Sequence, residues 1–168
     1  MKYVIKHKLV TMKPAYEIFD HTGASVYKVK GSFGGRESFK IVNSEGQTLA
    51  TCATKFNPLS IVGAFLRFNF KRYHVTDGEK DILSLGRTFN PFTIAANAHS
   101  STIENLVVTN SIMGSYQFRA EDKVLCDINK KNLVVGTDEY HVEIADDQSQ
   151  LGFLMSVIAL DRVFFTRR

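Results

Sequence analysis

LGFLMSVIALDRVFFTRR (151–168) places an apolar or small side chain on every face of a helix from Leu151 to Leu160. A helix that is apolar all round has no face to give to water and must be enclosed by protein or lipid. Lipid fits poorly, because the run is only ten residues before Asp161 and Arg162, whereas a bilayer span takes roughly 20 residues. The segment therefore reads as a buried core helix over about 149–165, and the rest of the chain has to supply its enclosure.

What precedes it reads as strand. AYEIFD (15–20), SVYKVKG (25–31), SFKIVNS (38–44), QTLATCATK (47–55), FLRFNFKRY (65–73), GSYQFRA (114–120) and KVLCDINKK (123–131) are short runs rich in Val, Ile, Tyr, Phe and Thr, bounded by turn residues. Several alternate. In FLRFNFKRY, Leu66, Phe68 and Phe70 oppose Arg67, Asn69 and Lys71, and in VYKVK, Tyr27 and Val29 oppose Lys28 and Lys30. One face inside and one wet is the pattern of antiparallel sheet. His21-Thr22-Gly23, Ser44-Glu45-Gly46 and Ala120-Glu121-Asp122 lie between paired runs as hairpin connections. A weak internal repeat joins 16–30, 39–55 and 116–131, each an aromatic, a strand, a turn and a second strand ending in lysine. Repeated hairpins before one apolar helix call for a sheet closed around that helix, which also removes exposed strand edges. The small residues Gly152, Ser156 and Ala159 share one helix face, and are expected to let the helix approach the barrel wall rather than a second membrane helix.

The 168 residues, 44% hydrophobic and 23% charged with three prolines, suit one ordered domain over 1–168 that buries about 70% of its unfolded surface. MKYVIKHKLVTMKP (1–14) carries Lys2, Lys6, Lys8 and Lys13 with no apolar stretch between them, so neither a signal peptide nor an anchor is expected there. With only Cys52 and Cys126 available, free thiols in a reducing cytoplasm are the expectation. The net charge of +4 is uneven. Residues 1–72 hold twelve basic and four acidic side chains, a net +8, while 73–168 hold nine and thirteen, a net −4. Such asymmetry hints at an anionic partner, the plain alternative being solvated strand faces.

FDHTGASVYKVKGSFGGRESFKIVNSEGQTLATCATK (19–55), DEYHVEIADD (138–147) and LGFLMSVIALDR (151–162) together resemble the LURP-one-related family of the tubby C-terminal-like superfamily, to which phospholipid scramblases also belong. The resemblance implies a mainly β (α+β) fold, a twelve-stranded antiparallel β-barrel around a hydrophobic C-terminal helix, with strands over about 3–147. It implies no enzyme activity and no cofactor. Tubby proteins bind phosphoinositides through a basic barrel surface, but no tubby ligand motif transfers to individual residues here.

Chemical signatures are sparse. Gly31-Ser32-Phe33-Gly34-Gly35 is neither a nucleophile elbow nor a phosphate loop, since it leads toward a strand rather than a helix. His7, His21, His74, His99 and His141 lack zinc-ligand spacing, so no metal is expected. Asp77-Gly78-Glu79-Lys80-Asp81 begins like a calcium loop, but Ile82 stands where glycine is needed and Thr88 where a bidentate Glu is needed. Asp161, the one acid in the apolar run, is expected to reach an arginine, a backbone donor or water at the barrel mouth. Arg167 and Arg168 are expected at the helix end.

The remaining candidates are basic strand faces. Lys28 and Lys30 share one, Arg67 and Lys71 another, with Arg72 beside them. Convergence of these five would make an anion-binding patch, each cation contributing about 1 kcal/mol at an acidic membrane surface. Nucleic acid is disfavoured because Phe68 and Phe70 face inward by alternation and offer no stacking platform. A lumenal lipid carrier is disfavoured because the helix takes the lumen. The expectation is a non-enzymatic, cytoplasmic binding module, peripheral at the membrane, taking anionic phospholipid, phosphoinositide or a protein partner, without a transmembrane span. A scramblase-like membrane-associated protein and an undetected hydrolase are the alternatives.

Overall fold

The computed structural model describes residues 1–8, 15–32, 37–55, 71–78, 80–87, 96–110, 115–133 and 137–165. Twelve strands precede one helix: β1 (Lys2–Lys8), β2 (Ala15–Asp20), β3 (Ser25–Ser32), β4 (Ser38–Val42), β5 (Thr48–Thr54), β6 (Arg72–Asp77), β7 (Lys80–Arg87), β8 (Ala96–His99), β9 (Leu106–Asn110), β10 (Ser115–Ala120), β11 (Lys123–Leu133), β12 (Thr137–Ile144) and α1 (Gln150–Phe165). They form one sheet in the order β8-β7-β6-β5-β4-β3-β2-β1-β12-β11-β10-β9. Every neighbour is sequential except β1 and β12, which pair antiparallel with Lys2 opposite Glu143. The sheet curls into a nearly closed barrel whose seam lies between β8 and β9, the two ends of the ladder.

Local chemistry explains the hairpins. Asp20 Oδ1 accepts from the Thr22 and Ala24 amides and the Thr22 hydroxyl, and Gly23 turns at φ 84°. Gly46 turns at φ 83° while Asn43 Oδ1 accepts from the Gln47 amide. Positive φ is cheap for glycine, which lacks a Cβ. Glu121 takes the same region without that relief, at φ 52°. Register shifts at Ile18/Phe19, Ile41/Val42, Val75/Thr76 and Phe118/Arg119 add the local twist that a curled sheet requires.

The helix is enclosed. Phe153 through Leu160, eight successive residues, are each 2% exposed or less, and eight residues pass around all faces of a helix more than twice. Phe118 of β10 meets Phe153 edge-on, with ring centroids 5.3 Å apart. Ser149 caps the helix: its Oγ accepts the Gly152 amide at 3.1 Å and donates to Asp77 Oδ2 at 2.6 Å. Of the calcium-like stretch, Asp77 ends β6 and is committed to the cap, Gly78 turns at φ 61°, and Lys80 and Asp81 begin β7.

The small-residue stripe works as close approach to the wall. A Cβ built at Gly152 would lie 2.9 Å from Ile82 Cγ2 and 2.9 Å from the capping Ser149 Oγ. Gly152→Val should therefore overpack against a stiff β-branched neighbour and disturb the cap, at about 2–3 kcal/mol. For a chain of this size that is a melting temperature lower by roughly 5–10 °C, read by circular dichroism.

Strand expectations and structure differ in places. The run expected over 65–73 overlaps only the beginning of β6, which starts at Arg72, and 65–70 lie outside the described residues. Strands β1, β7, β8, β9 and β12 are not among the runs expected individually, and of these β7 lacks alternation and β8 is short. The helix bounds agree with 149–165 to within a residue. Among the described residues no helix is long and apolar enough to cross a membrane. Cys52 and Cys126 are free and buried, and burial pushes both thiols well above their ordinary range.

Candidate functional site

Two regions carry charge that packing alone does not require: the outer face of β3–β6, and a polar centre at one end of the barrel.

On β3, Val29 is buried while Lys28 and Lys30 are exposed, as the VYKVK alternation demands. Antiparallel register sets Lys30 opposite Lys40 of β4, and like charges directly opposite oppose folding. The surface beyond β3 is different. Lys28 faces Glu17 of β2, Glu17 faces Lys6 of β1, and Lys6 faces Glu139 of β12, a row of alternating sign. Uncompensated charge is therefore centred on Lys30 and Lys40.

The five sequence candidates separate. Lys28 and Lys30 stand together on β3. Arg72 is exposed at the start of β6, beside the exposed Lys55 and on the same face as His74. Partial burial and then the Lys55 charge, joined by Arg72, hold the His74 imidazole below its ordinary pKa of 6.5, against an opposing pull from Asp81. Lys71 does not join an open face. Its Nζ lies 2.5 Å from Glu37 Oε1, and Glu37 is buried. Arg67 lies outside the described residues. Sequence reasoning missed Lys40 and Lys55, whose signal was present in the outward positions of SFKIV and the end of TLATCATK. It lacked the register that puts Lys40 against Lys30.

Asp161 and Arg162, adjacent on α1, reach opposite ways. Arg162 joins Lys71 on Glu37, its Nη2 3.4 Å from Oε2, and Tyr73 donates to the same carboxylate at 2.8 Å. Burial alone would raise the Glu37 carboxyl, but Lys71, Tyr73 and Arg162 hold it below its ordinary value. Asp161, expected to find an arginine, backbone or water, instead accepts the Tyr16 hydroxyl on Oδ2 at 2.6 Å and the Tyr140 hydroxyl on Oδ1. His7 Nδ1 stands 3.2 Å from Oδ2. Burial would raise the Asp161 carboxyl; the His7 ring, then the Tyr140 and Tyr16 hydroxyls, outweigh it and keep Asp161 ionised below the ordinary range. Strands β1, β2 and β12 thereby hold one side of the helix end, and the segment leading into β4 and β6 holds the other. Tyr16 and Tyr140 sit in strands whose apolar positions surround them, so nothing in the sequence distinguishes either from an ordinary core residue.

A sequence profile described as LURP-one-related matches residues 1–161. The chain belongs to the LURP-one-related family. The match runs through 57–105, outside the segments that carry the resemblance. The uncharacterized protein YxjI of Bacillus subtilis (strain 168) is 24% identical over 164 residues, covering 96% of this chain and 92% of its own. The X-ray structure of an Arabidopsis thaliana protein superposes with a TM-score of 0.52 at 15% identity, covering 99% of this chain and 93% of that one. That likeness supports the overall fold, a sheet barrel with a C-terminal helix.

Proposed function

We propose that this LURP-one-related barrel is a non-enzymatic binding module that docks on anionic phospholipid head groups through the outer face of β3–β6. The observation carrying the reading is the Lys30–Lys40 cross-strand pair with Lys28 beside it on the same face. Lys55 and Arg72 extend the positive surface two strands further. A like-charged pair costs the fold stability, and an anionic head group bridging the two ammonium groups offsets that cost. The non-enzymatic part is supported by the barrel interior, where the helix takes the space a substrate would need and Asp161 is committed to two tyrosines. A peripheral mode of attachment is supported by the charged outward positions Lys28, Lys30 and Lys40, since strands facing lipid carry an apolar outer band.

Purified protein should co-sediment with vesicles containing phosphatidylserine or phosphoinositide, and release as salt rises, because screening acts beyond about 8 Å at physiological ionic strength. Lys28→Glu with Lys30→Glu should weaken binding at least tenfold, at about 1 kcal/mol per basic residue, with little net change in melting, because Lys30→Glu replaces a like-charged pair with Lys40 by an opposite one while Lys28→Glu sets a second carboxylate opposite Glu17. If the wild type ignores acidic vesicles at low salt, the lipid reading fails and a protein partner takes its place.

A further inference from the structure

His7 of β1, Asp138 of β12 and Asp161 of α1 come from three elements, and one ligating atom of each lies within 4.8 Å of the others. We propose that these three side chains form a binding site for one divalent transition-metal ion of the zinc type, which ties the end of the helix to the barrel wall.

His7 points to this reading. It is 5% exposed, and its Nδ1 has no hydrogen-bond partner among the described residues, although it stands 3.2 Å from Asp161 Oδ2. A buried ring nitrogen left without a partner costs about 1–3 kcal/mol. Yet the ring is held in place, stacked on Tyr16 with centroids 4.2 Å apart and planes 19° from parallel. The His7–Asp161 contact is an ion-pair distance that lacks hydrogen-bond alignment, and two ligands of one ion stand in the same relation. Bonds of about 2.0–2.1 Å put neighbouring tetrahedral donors roughly 3.3–3.4 Å apart, and the His7–Asp161 separation of 3.2 Å matches that spacing.

The surroundings fit a coordinated ion. Carboxylate ligands keep lone pairs for other donors, and those donors usually orient the ligand. Tyr16 and Tyr140 hydroxyls hold Asp161, and Lys130 Nζ lies 2.8 Å from Asp138 Oδ2. The two carboxylates match the charge of a divalent cation, and the Lys130 ammonium sits on the outer side of Asp138 as its orienting partner. The mixed nitrogen and oxygen set favours zinc over magnesium or calcium, which prefer oxygen alone. Burial of His7 and Asp161, with Asp138 17% exposed at the edge, makes this a structural tie, independent of the lipid-facing surface.

The test uses the whole chain, stripped of metal and titrated with Zn²⁺ or Co²⁺. One equivalent should bind, Co²⁺ should give the visible bands of a nitrogen and oxygen site, and the melting temperature should rise with the logarithm of free zinc. His7→Gln and Asp138→Asn should each weaken binding at least tenfold, since even orienting partners of ligands contribute that much. A second readout needs no variant: in the ¹⁵N spectrum of the wild-type imidazoles, zinc should shift the His7 resonances and leave those of His21, His99 and His141 in place. Absence of saturable binding, binding unchanged in both variants, or shifts confined to the exposed histidines would each overturn the site.

Discussion

Val157→Asp yields no soluble folded protein, and Ile158→Asp behaves the same way. Both side chains are 1% exposed inside the barrel and belong to its hydrophobic core. A lone buried carboxylate either stays charged at a cost of several kcal/mol or is forced to protonate, and the lost packing adds about 2–4 kcal/mol more. A domain of this size has a total stability of about 5–15 kcal/mol. The measurement is soluble yield followed by a melting curve, with Val107→Asp as control. Val107 lies on β9 with 53% of its surface exposed, so the same change there should move the melting temperature by only a few degrees. Recovery of Val157→Asp with a wild-type melting curve would sink the enclosed-helix account.

Asp161→Ala should cost about 3–5 kcal/mol, the scale for breaking a buried charged network by removing one member. The hydroxyls of Tyr16 and Tyr140 lose their acceptor together, and His7 loses its neighbour. For this length the melting temperature falls by roughly 10–15 °C, measured in chelator so that no metal contributes. The pH dependence supplies a second signature. Asp161 and Glu37 are held below their ordinary values of 3.8 and 4.5 in the folded chain. Their contribution is therefore fully present above those ordinary values and is lost as pH falls through the lower folded ones. Wild-type melting should decline steeply below about pH 4, and Asp161→Ala should show a shallower decline because one of the two groups is gone. Parallel acid profiles for the two proteins would count against the network.

The legible parts of the fold and the hidden ones divide along a physical line. AYEIFD and VYKVK could be read because alternation records which side of a strand is wet. The Asp20 and Asn43 turns could be read because their chemistry is local. Strands β7 and β8 were hidden: DILSLGR has buried Ile82 and Leu83 in succession beside a register shift, and ANAH is short. Lys71 illustrates the limit of alternation at a candidate site. As a sequence it continues a basic strand face, but its ammonium is drawn to Glu37, 34 residues earlier. His7, Asp138 and Asp161 illustrate the same limit, because three side chains brought together from separate elements leave no spacing signal along the chain.

By itself the sequence determined that an apolar helix must be enclosed, that the enclosure is antiparallel strand, and that charge gathers in residues 1–72. These follow from solvation, which each segment experiences on its own. Tertiary structure alone decided which side chains meet. Register placed Lys40 against Lys30, and pairing of β1 with β12 carried His7 to Asp138. Insertion of the helix brought Asp161 between Tyr16 and Tyr140. Contacts between residues more than a hundred positions apart depend on closure of the whole sheet, and no single segment encodes that closure.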